Sequence, residues 1–316
     1  MSFPEREASI LTLQRAIITG ATGAVGTALT ELLLRQGVEV LIISRTGSAR
    51  NGRIPSSPLA QTLFCDLDRL DQLENETGKT WDCLFHFAWA GASGEGRNDM
   101  YLQNANVKAA LDAVGLAARF GCRRFVGAGS QAEYGRHAEK LTPATPTFPE
   151  TGYGFAKLCA GQMTRAYAHQ LGMEHVWLRL LSIFGPHDGK NSMIAQTVLR
   201  FQSGESPEFT AGEQIWDYVY SKDAAKAFFC VAQNGIDGKT YVLGSGEERP
   251  LAEYLTTMRD LIAPSLELKL GARPYAGNQV MFLAADSSEL TADTGYHADY
   301  TFEDGIRELI GVDPLD

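Results

Sequence analysis

The sequence predicts an α/β fold in which a doubly wound parallel sheet is joined to a smaller, discontinuous C-terminal lobe. Three observations lead to this prediction. A glycine-rich turn lies between an apolar strand and an amphipathic helix, apolar strands then alternate with helical stretches, and beyond residue 186 the pattern breaks into short segments separated by Gly and Pro. Alternating strands and helices are typical of a parallel sheet that is covered by helices on both faces.

The order of the elements follows from the hydrophobic pattern. Residues 15–19 and 38–43 are apolar runs typical of buried strands, and residues 27–36 between them have helical spacing. Six or seven parallel strands are expected, because the alternation continues. The sequence predicts further strands near 61–64, 83–87, 125–128 and 175–181, helices at about 100–120 and 152–171, and then a strand at 215–220 and a helix at 223–233.

Length and composition limit the possible functions. The chain has 316 residues, 44% of them hydrophobic, and a formal net charge of -10. It can bury a large core, and its negative charge disfavours binding to nucleic acid. The five cysteines are scattered without a C-x-x-C pair, so we expect reduced thiols and no metal site. The absence of a signal core and of a run of about 18 apolar residues predicts a cytoplasmic protein that does not span a membrane.

The glycine-rich turn is TGATGAVG at residues 19–26, with its glycines three residues apart. Gly20 permits a tight turn, Gly23 lets the backbone approach a pyrophosphate, and Gly26 allows helix and strand to pack closely. The free N–H groups at the start of the helix favour an anion. The sequence therefore predicts a dinucleotide site formed by Gly20, Thr22, Gly23, Ala24, Val25 and Gly26.

This site defines the expected domains. A polar arm at 1–14 precedes a dinucleotide-binding (Rossmann) domain at 15–186, and residues 214–245 return to that domain. The substrate lobe is expected to consist of two pieces, 187–213 and 246–316.

The end of the second strand bears on the choice between NAD and NADP. An acidic residue there accepts from the ribose 2′-hydroxyl and repels a 2′-phosphate. Ser44 and Arg45 occupy this position instead, with Arg50 and Arg53 nearby in the sequence. A hydroxyl and a guanidinium can both donate to a phosphate. The sequence therefore favours NADP, with NAD as the alternative.

Three polar residues form a candidate catalytic group. Tyr153 and Lys157 lie four residues apart at the start of a predicted helix, and hence on one face. A neighbouring cation favours the phenolate and permits proton exchange near neutral pH. Ser130 follows the fifth predicted strand, on the side where parallel sheets bind ligands, so its hydroxyl is expected to bond the reacting oxygen. Tyr218 and Lys222 have the same spacing, but on a predicted strand residues four apart stand about 13 Å from each other.

With these motifs the chain resembles the extended short-chain dehydrogenase/reductase family, in its branch of sugar-nucleotide epimerases, dehydratases and reductases. The resemblance runs from about residue 15 to the end of the chain. It implies a nicotinamide cofactor and a nucleotide-diphosphate sugar as substrate. The motifs that carry it are TGATGAVG (19–26), HFAWAG (86–91), GSQAEYG (129–135), YGFAK (153–157), RLLSIFGP (179–186) and DYVYSKDAA (217–225).

The resemblance also implies roles for individual residues. Lys157 would hold the nicotinamide ribose while Tyr153 acts as acid or base, and hydride passes between a sugar carbon and the cofactor. The further cofactor contacts that it implies are Asp66 and Leu67 at the adenine, Phe87, Ala88, Trp89 and Ala90 along the nicotinamide side, Asn106 near the active centre, and Leu181 beside the nicotinamide.

Departures from the family pattern narrow the reaction. Dehydratases of this branch carry Asp-Glu or a nearby Glu directly after the Ser/Thr, whereas Ser130 is followed by Gln131 and Ala132. Glu133 is expected to point elsewhere, so dehydration is disfavoured. Because epimerases of this branch retain NAD, the Ser44–Arg45 pair favours an NADP-dependent 4-keto-6-deoxy sugar reductase. An NAD-dependent 4-epimerase is the alternative, and a non-catalytic cofactor-binding regulatory protein is a third, less favoured one.

The predicted substrate contacts include two unusual residues. The family's common Asn after the Arg-containing strand is Ser182, and its common Arg before Asp-Tyr-Val is Trp216. Trp216 could stack on the ligand or pack between the lobes. Arg273 matches a late family arginine that contacts the diphosphate. The predicted substrate-binding set is Ser130, Ser182, Trp216 and Arg273.

Other polar residues are given structural roles or left open. His86 is expected to be a structural residue with satisfied hydrogen bonds, and His187 and Asp188 lack further ligands for a metal. Arg179 either forms an ion pair or touches the ligand. The resemblance also suggests a homodimer through the helices near 100–119 and 153–171. The small apolar residues that could pack across this contact, or face the sheet instead, are Ala109, Ala110, Ala113, Leu116 and Ala117.

Overall fold

The computed structural model describes residues 10–189, 191–277 and 279–311. Most of the arm predicted at 1–14 lies outside these residues, as does the end of the chain from 312. The strands are β1 (Arg15–Thr19), β2 (Glu39–Ser44), β3 (Ala60–Phe64), β4 (Cys83–His86), β5 (Arg124–Ser130), β6 (Glu174–Leu180), β7 (Ser182–Phe184), β8 (Ile215–Tyr220), β9 (Thr240–Leu243), β10 (Glu248–Pro250) and β11 (Phe282–Leu283). The α-helices are α1 (Ala24–Arg35), α2 (Met100–Arg119), α3 (Gly152–Gln170), α4 (Met193–Gln202), α5 (Ser221–Asn234), α6 (Leu251–Ile262), α7 (Ser288–Thr294) and α8 (Phe302–Gly311).

The large sheet contains seven parallel strands in the order β3-β2-β1-β4-β5-β6-β9. The strand order reverses between β1 and β4, which is where a doubly wound sheet opens a crevice at the carboxyl ends of its strands. In the register of the sheet, Thr19 at the end of β1 lies opposite Ile43 on β2 and His86 on β4. The predicted doubly wound α/β fold is therefore confirmed.

Helices cover both faces of this sheet. Ala16 and Ile18 of β1 pack in one apolar core with α1 and α5, whereas Ile17 packs in a second core with α2. This division follows from the alternation of side chains along a strand. Because both faces are buried, the central strands read as nearly continuous apolar runs.

The alanines considered for a dimer contact belong to the interior. Ala109, Ala110, Ala113, Leu116 and Ala117 are all 5% exposed or less. Ala110, Ala113, Leu116 and Ala117 lie in the apolar cores beside the sheet and α3, and Ala109 lines the cavity near Asn106. Because all five are buried within one chain, they are not a surface for a second subunit, and the alternative of packing across a dimer contact is wrong for them.

A smaller lobe follows the large sheet. Its sheet consists of β10-β8-β11, with β7 paired to the other part of β8. Aromatic and aliphatic side chains from this sheet and from α4, α6 and α8 form a separate apolar core. Within the segment 214–245, α5 packs against α1 and β9 joins the large sheet, whereas β8 belongs to the smaller one.

Candidate active site

The turn between β1 and α1 is built for close approach. Gly20 has a φ of +80°, and a Cβ on it would lie 2.6 Å from the Ala88 nitrogen. A Cβ on Gly26 would collide with the Gly20 carbonyl. Gly23 is the N-cap of α1 and offers no side chain to the first N–H groups of the helix. These groups are therefore available to an anion, and the turn fits the pyrophosphate of a dinucleotide.

A cleft of about 490 Å³ opens beside this turn, at the carboxyl ends of β1, β2 and β4. It adjoins a cavity of about 840 Å³ that contains Asp66, Leu67 and Asn106. Ala24, Val25 and Gly26 lie in the first turn of α1, directly behind the glycine turn. The predicted cofactor residues that line the cleft are Gly20, Thr22, Gly23, Ser44, Arg45, Leu67, Phe87, Ala88, Trp89 and Ala90.

The side chains after β2 differ in what they offer a 2′-phosphate. The Ser44 hydroxyl donates to Asn51 Oδ1 at 2.7 Å, so its proton is already engaged. Arg53 donates to the Thr22 carbonyl at 3.2 Å and so supports the glycine turn. Arg45 and Arg50 are exposed and line the cleft. The two arginines, and not Ser44, are therefore the donors that the structure presents at this end.

Ser130, Tyr153 and Lys157 converge at the other end of the site. Ser130 is the last residue of β5, and the two others lie in the first turns of α3, whose N-cap Thr151 accepts from the Gly154 N–H at 3.1 Å. The Ser130 hydroxyl is hydrogen-bonded to Tyr153. The Lys157 ammonium lies 5.9 Å from the centre of the Tyr153 ring and donates to the Ala128 carbonyl at 2.7 Å.

Burial governs the titration of this group. Desolvation raises the pKa of Tyr153, although the bond to Ser130 and the positive charge of Arg97 oppose the rise. Burial lowers the pKa of Lys157 to about 7. The sequence pattern indicated that a neighbouring cation favours the phenolate; in the folded protein, loss of hydration outweighs the charge of Arg97, and the pKa of Tyr153 lies above its ordinary value. The phenol is therefore held in its protonated form.

The sequence did not predict the side-chain contacts that hold the segment after β4 in place. The Trp89 ring lies 3.8 Å from the Lys157 ammonium and meets the Tyr153 ring edge to face at 6.1 Å between centroids. Gln103 accepts from the Trp89 indole N–H at 2.9 Å, and its amide nitrogen donates to the loop carbonyls of Ala90, Gly91 and Gly96. Asn106 bonds both the N–H and the carbonyl of Ala90. Asn106 therefore shapes the cleft by holding its wall.

Glu133 points away from the cleft, as the sequence suggested. One carboxylate oxygen accepts from the Ser130 N–H at 2.8 Å and from the Trp177 indole at 3.0 Å. The other accepts from Arg179 at 2.7 Å, and both side chains of this ion pair are at most 5% exposed. Of the two roles considered for Arg179, the ion pair is the one found.

The predicted substrate residues are dispersed. Trp216 donates its indole N–H to the Ser182 hydroxyl at 2.8 Å and packs against both the large and the small apolar core, so it has the lobe-packing role. Leu181, which the resemblance places beside the nicotinamide and not at the substrate, is only 4% exposed and belongs to the core of the large sheet. Arg273 is exposed, and its backbone N–H donates to the Phe209 carbonyl at 3.0 Å.

His86 is only partly satisfied. It is 1% exposed, its Nδ1 lies 2.9 Å from the Thr19 hydroxyl, and its Nε2 has no hydrogen-bond partner among the described residues. The expectation of full satisfaction is therefore wrong. Burial lowers its pKa to about 3, which keeps the ring neutral.

The described residues contain neither a membrane-spanning helix nor a cluster of metal ligands. None of their helices is both long and apolar enough to cross a membrane. They contain no group of three or more His, Cys, Asp or Glu side chains suited to a metal ion, and His187–Asp188 is not part of one.

Comparison with known proteins agrees with this fold. A model of the NAD-dependent epimerase/dehydratase family matches residues 16–244. CDP-abequose synthase of Salmonella typhimurium is 25% identical over 302 residues, which cover 93% of this chain and 96% of that protein. A dTDP-glucose 4,6-dehydratase of Xanthomonas campestris is 26% identical over 200 residues, which cover 59% of this chain and 56% of that protein. The match thus spans about half the length of such dehydratases.

Solved structures share the architecture. UDP-glucose 4-epimerase of Thermotoga maritima, solved with UDP-glucose, superposes with a TM-score of 0.83 at 18% identity and covers 94% of this chain and 97% of that one. UDP-N-acetylglucosamine 4-epimerase of Methanobrevibacter ruminantium gives 0.84 at 22% identity and covers 95% and 98%. The chain belongs to the NAD-dependent epimerase/dehydratase family of extended short-chain dehydrogenases/reductases. It is an enzyme that depends on a nicotinamide cofactor.

Proposed function

We propose that this protein reduces the C4 ketone of a nucleotide-diphosphate 4-keto-6-deoxy sugar with NADPH. The observation that carries the proposal is the buried phenol of Tyr153, whose pKa burial raises, beside the Ser130 hydroxyl. Reduction of a ketone needs a proton donor next to the oxygen, whereas oxidation of an alcohol needs a base. A site whose phenol is protonated before the substrate binds is therefore suited to reduce a ketone.

In this mechanism the side chains handle the proton and the orientation. When bound, the nicotinamide supplies a hydride to the sugar carbon. Ser130 donates a hydrogen bond to the ketone oxygen and fixes its distance from Tyr153. Tyr153 gives its proton to that oxygen as negative charge develops, and Lys157 stabilises the phenolate that is left. The glycine turn would hold the pyrophosphate, and Lys157 would also hold the nicotinamide ribose.

Two features support NADP and oppose dehydration. Arg45 and Arg50 are exposed in the cleft at the end of β2, and no acidic residue ends that strand. Charge complementarity to a 2′-phosphate favours such a pair. Dehydration needs an extra acid and base near the sugar, but both carboxylate oxygens of Glu133 are occupied within the core.

The nucleotide sugar and the assembly are further parts of the proposal. The nucleotide sugar is supported by the relative named CDP-abequose synthase, which is matched over nearly its whole length. It is also supported by the structural neighbours that were solved with UDP-glucose or UDP-glucuronic acid. We assign the charge that binds the diphosphate to the exposed Arg273. A cytoplasmic homodimer through the outer faces of α2 and α3 would cover Tyr101, which is 90% exposed, and Phe155 and Met163.

The competing function is an NAD-dependent 4-epimerase, which is favoured by the names of several structural neighbours. Incubation with NADPH and a panel of 4-keto-6-deoxy sugars on CDP, dTDP and UDP distinguishes the two. A reductase consumes NADPH with at least one keto sugar, and Tyr153→Phe lowers kcat by at least about 100-fold. If NAD copurifies with the protein and no keto sugar is consumed, the epimerase is correct and the reductase proposal fails.

A further inference from the structure

Arg97 stacks on the ring of Tyr153. Its guanidinium carbon lies 4.4 Å from the centre of the phenol ring. We propose that Arg97 is a positioning residue whose permanent charge sets how readily Tyr153 releases its proton, an inference that rests on the proposed role of Tyr153 as acid. Arg97 lies on the segment after β4, and nothing in its sequence context singled it out.

The contact is held in place from several sides. Arg97 donates through Nη1 to the Ala92 carbonyl at 2.9 Å, which fixes the direction of the side chain. Its neighbour Asn98 accepts from the Gly152 N–H, the first residue of α3, at 3.0 Å. A Cβ on Gly152 would lie 3.1 Å from the Arg97 carbonyl, so the glycine lets the segment lie close to the helix start. Gln103 donates to the Gly96 carbonyl at 2.7 Å and ties the same turn to α2.

The charged and polar groups around the phenol differ in how they respond to pH. Lys157 comes from α3 itself, Ser130 from the end of β5, Glu133 from the turn that follows β5, and Arg97 from the segment after β4. Burial lowers the pKa of Lys157 to about 7, so this side chain loses its charge as the pH rises above neutrality. A guanidinium stays protonated at every pH at which proteins fold. Arg97 is therefore the cation that still favours the phenolate when Lys157 is neutral.

The position on the ring face defines what Arg97 can do. A guanidinium over an aromatic face acts through the field of its charge, and the Nη1 group of Arg97 is engaged by the Ala92 carbonyl. An opposite charge within about 4–6 Å lowers the pKa of an acid. Arg97 is partly exposed, so solvent screens part of this effect. It makes Tyr153 a stronger acid without exchanging a proton itself.

The test is an NMR titration of Tyr153 in the whole protein, which is labelled with isotope-enriched tyrosine. The resonance of Tyr153 is the one that disappears in the Tyr153→Phe variant. Arg97→Met should raise the pKa of Tyr153 by about one, which lowers the phenolate fraction roughly tenfold at a given pH. Arg97→Lys should recover part of the difference. Arg123→Met is the matched control, because Arg123 is exposed at the opposite end of β5 and its loss removes the same charge.

The kinetic counterpart uses the pH profile of ketone reduction. With a weaker acid, Arg97→Met should keep its activity to a higher pH but have a plateau kcat about 3–10-fold lower. An unchanged titration of Tyr153 in a folded Arg97→Met protein would overturn the inference. The titration needs no substrate, so failure of the proposed reduction would leave the titration result standing.

Discussion

Trp216 and Ser182 are hydrogen-bonded to each other, from the indole N–H to the hydroxyl oxygen, at 2.8 Å. They are the two positions at which this chain departs from the family's diphosphate contacts, and they lie on adjacent strands of the smaller sheet. The structure therefore explains the two departures together. Since the indole N–H and the hydroxyl are hydrogen-bonded to each other, another residue must supply the positive charge for a diphosphate.

The first prediction is that these residues are energetically coupled. Ser182→Ala and Trp216→Phe should each lower the free energy of unfolding by about 1 kcal/mol. Since either change breaks the same bond, the double variant should lose about 0.5–1.5 kcal/mol less than the sum. Urea unfolding of the four proteins gives the coupling. Ser182→Ala combined with Trp81→Phe is the control, because Trp81 bonds Thr77 instead and the two losses should add.

The second prediction concerns Glu133, which in this structure stabilises the fold. Glu133→Gln leaves the buried Arg179 guanidinium without its counter-charge and should lower the free energy of unfolding by about 3–5 kcal/mol. Glu150→Gln breaks an exposed pair with Arg136 and should cost less than about 1 kcal/mol. Thermal and urea denaturation measure both. A Glu133→Gln protein of normal stability would mean that the carboxylate serves the reaction and not the core.

Much of the fold could be predicted because it depends on local patterns. Residues 15–19 and 215–220 were identified as strands from their apolar sequence, and both agree with β1 and β8. The sheet to which β8 belongs was not predictable, because its pairing with β7, β10 and β11 depends on residues far away in the chain. Local patterns fix which residues are extended, and long-range packing decides which strands become neighbours.

The site was predicted less completely, for the same reason. Gly127, Gly129 and Gly161 surround the Trp177 ring, and a Cβ on any of them would collide with or crowd the indole. No local sequence pattern predicts that these three glycines make room for the Trp177 ring. Gln103 did leave a signal, because it lies with Asn106, Val107 and Ala110 at helical spacing on the buried face of α2. A polar pair on an apolar face indicates a buried hydrogen-bond network.

The third prediction concerns cofactor choice. Arg45→Ala and Arg50→Ala should each raise KM for NADPH by about 5–20-fold, since each removes a charge-assisted bond to the 2′-phosphate. KM for NADH should change less than about twofold, and this comparison within one variant serves as the control. Steady-state kinetics with both cofactors provides the measurement. Equal effects on the two cofactors would place the arginines elsewhere and remove the case for NADP.

The last prediction is that the buried Lys157 lowers the stability of the fold in a pH-dependent way. Burial lowers the pKa of Lys157 from its ordinary 10.5 to about 7. Between these values the unfolded chain binds more protons than the folded one, so this group's contribution to stability rises with pH across that window. Below pH 7 the lysine is charged in both states, and its desolvation cost is at its largest.

Lys157→Met should therefore abolish activity and yet raise the free energy of unfolding by about 2–3 kcal/mol at or below neutral pH. The gain should shrink as the pH rises towards 10.5, where the wild-type lysine is neutral in both states. Urea unfolding across this range measures the difference. Lys108→Met is the control, because Lys108 is exposed and pairs with Asp112, which raises its pKa, so its removal should not stabilise the protein. A Lys157→Met protein that is less stable at every pH would mean that the ammonium, in contact with Ala128 and Trp89, is already fully compensated in the fold.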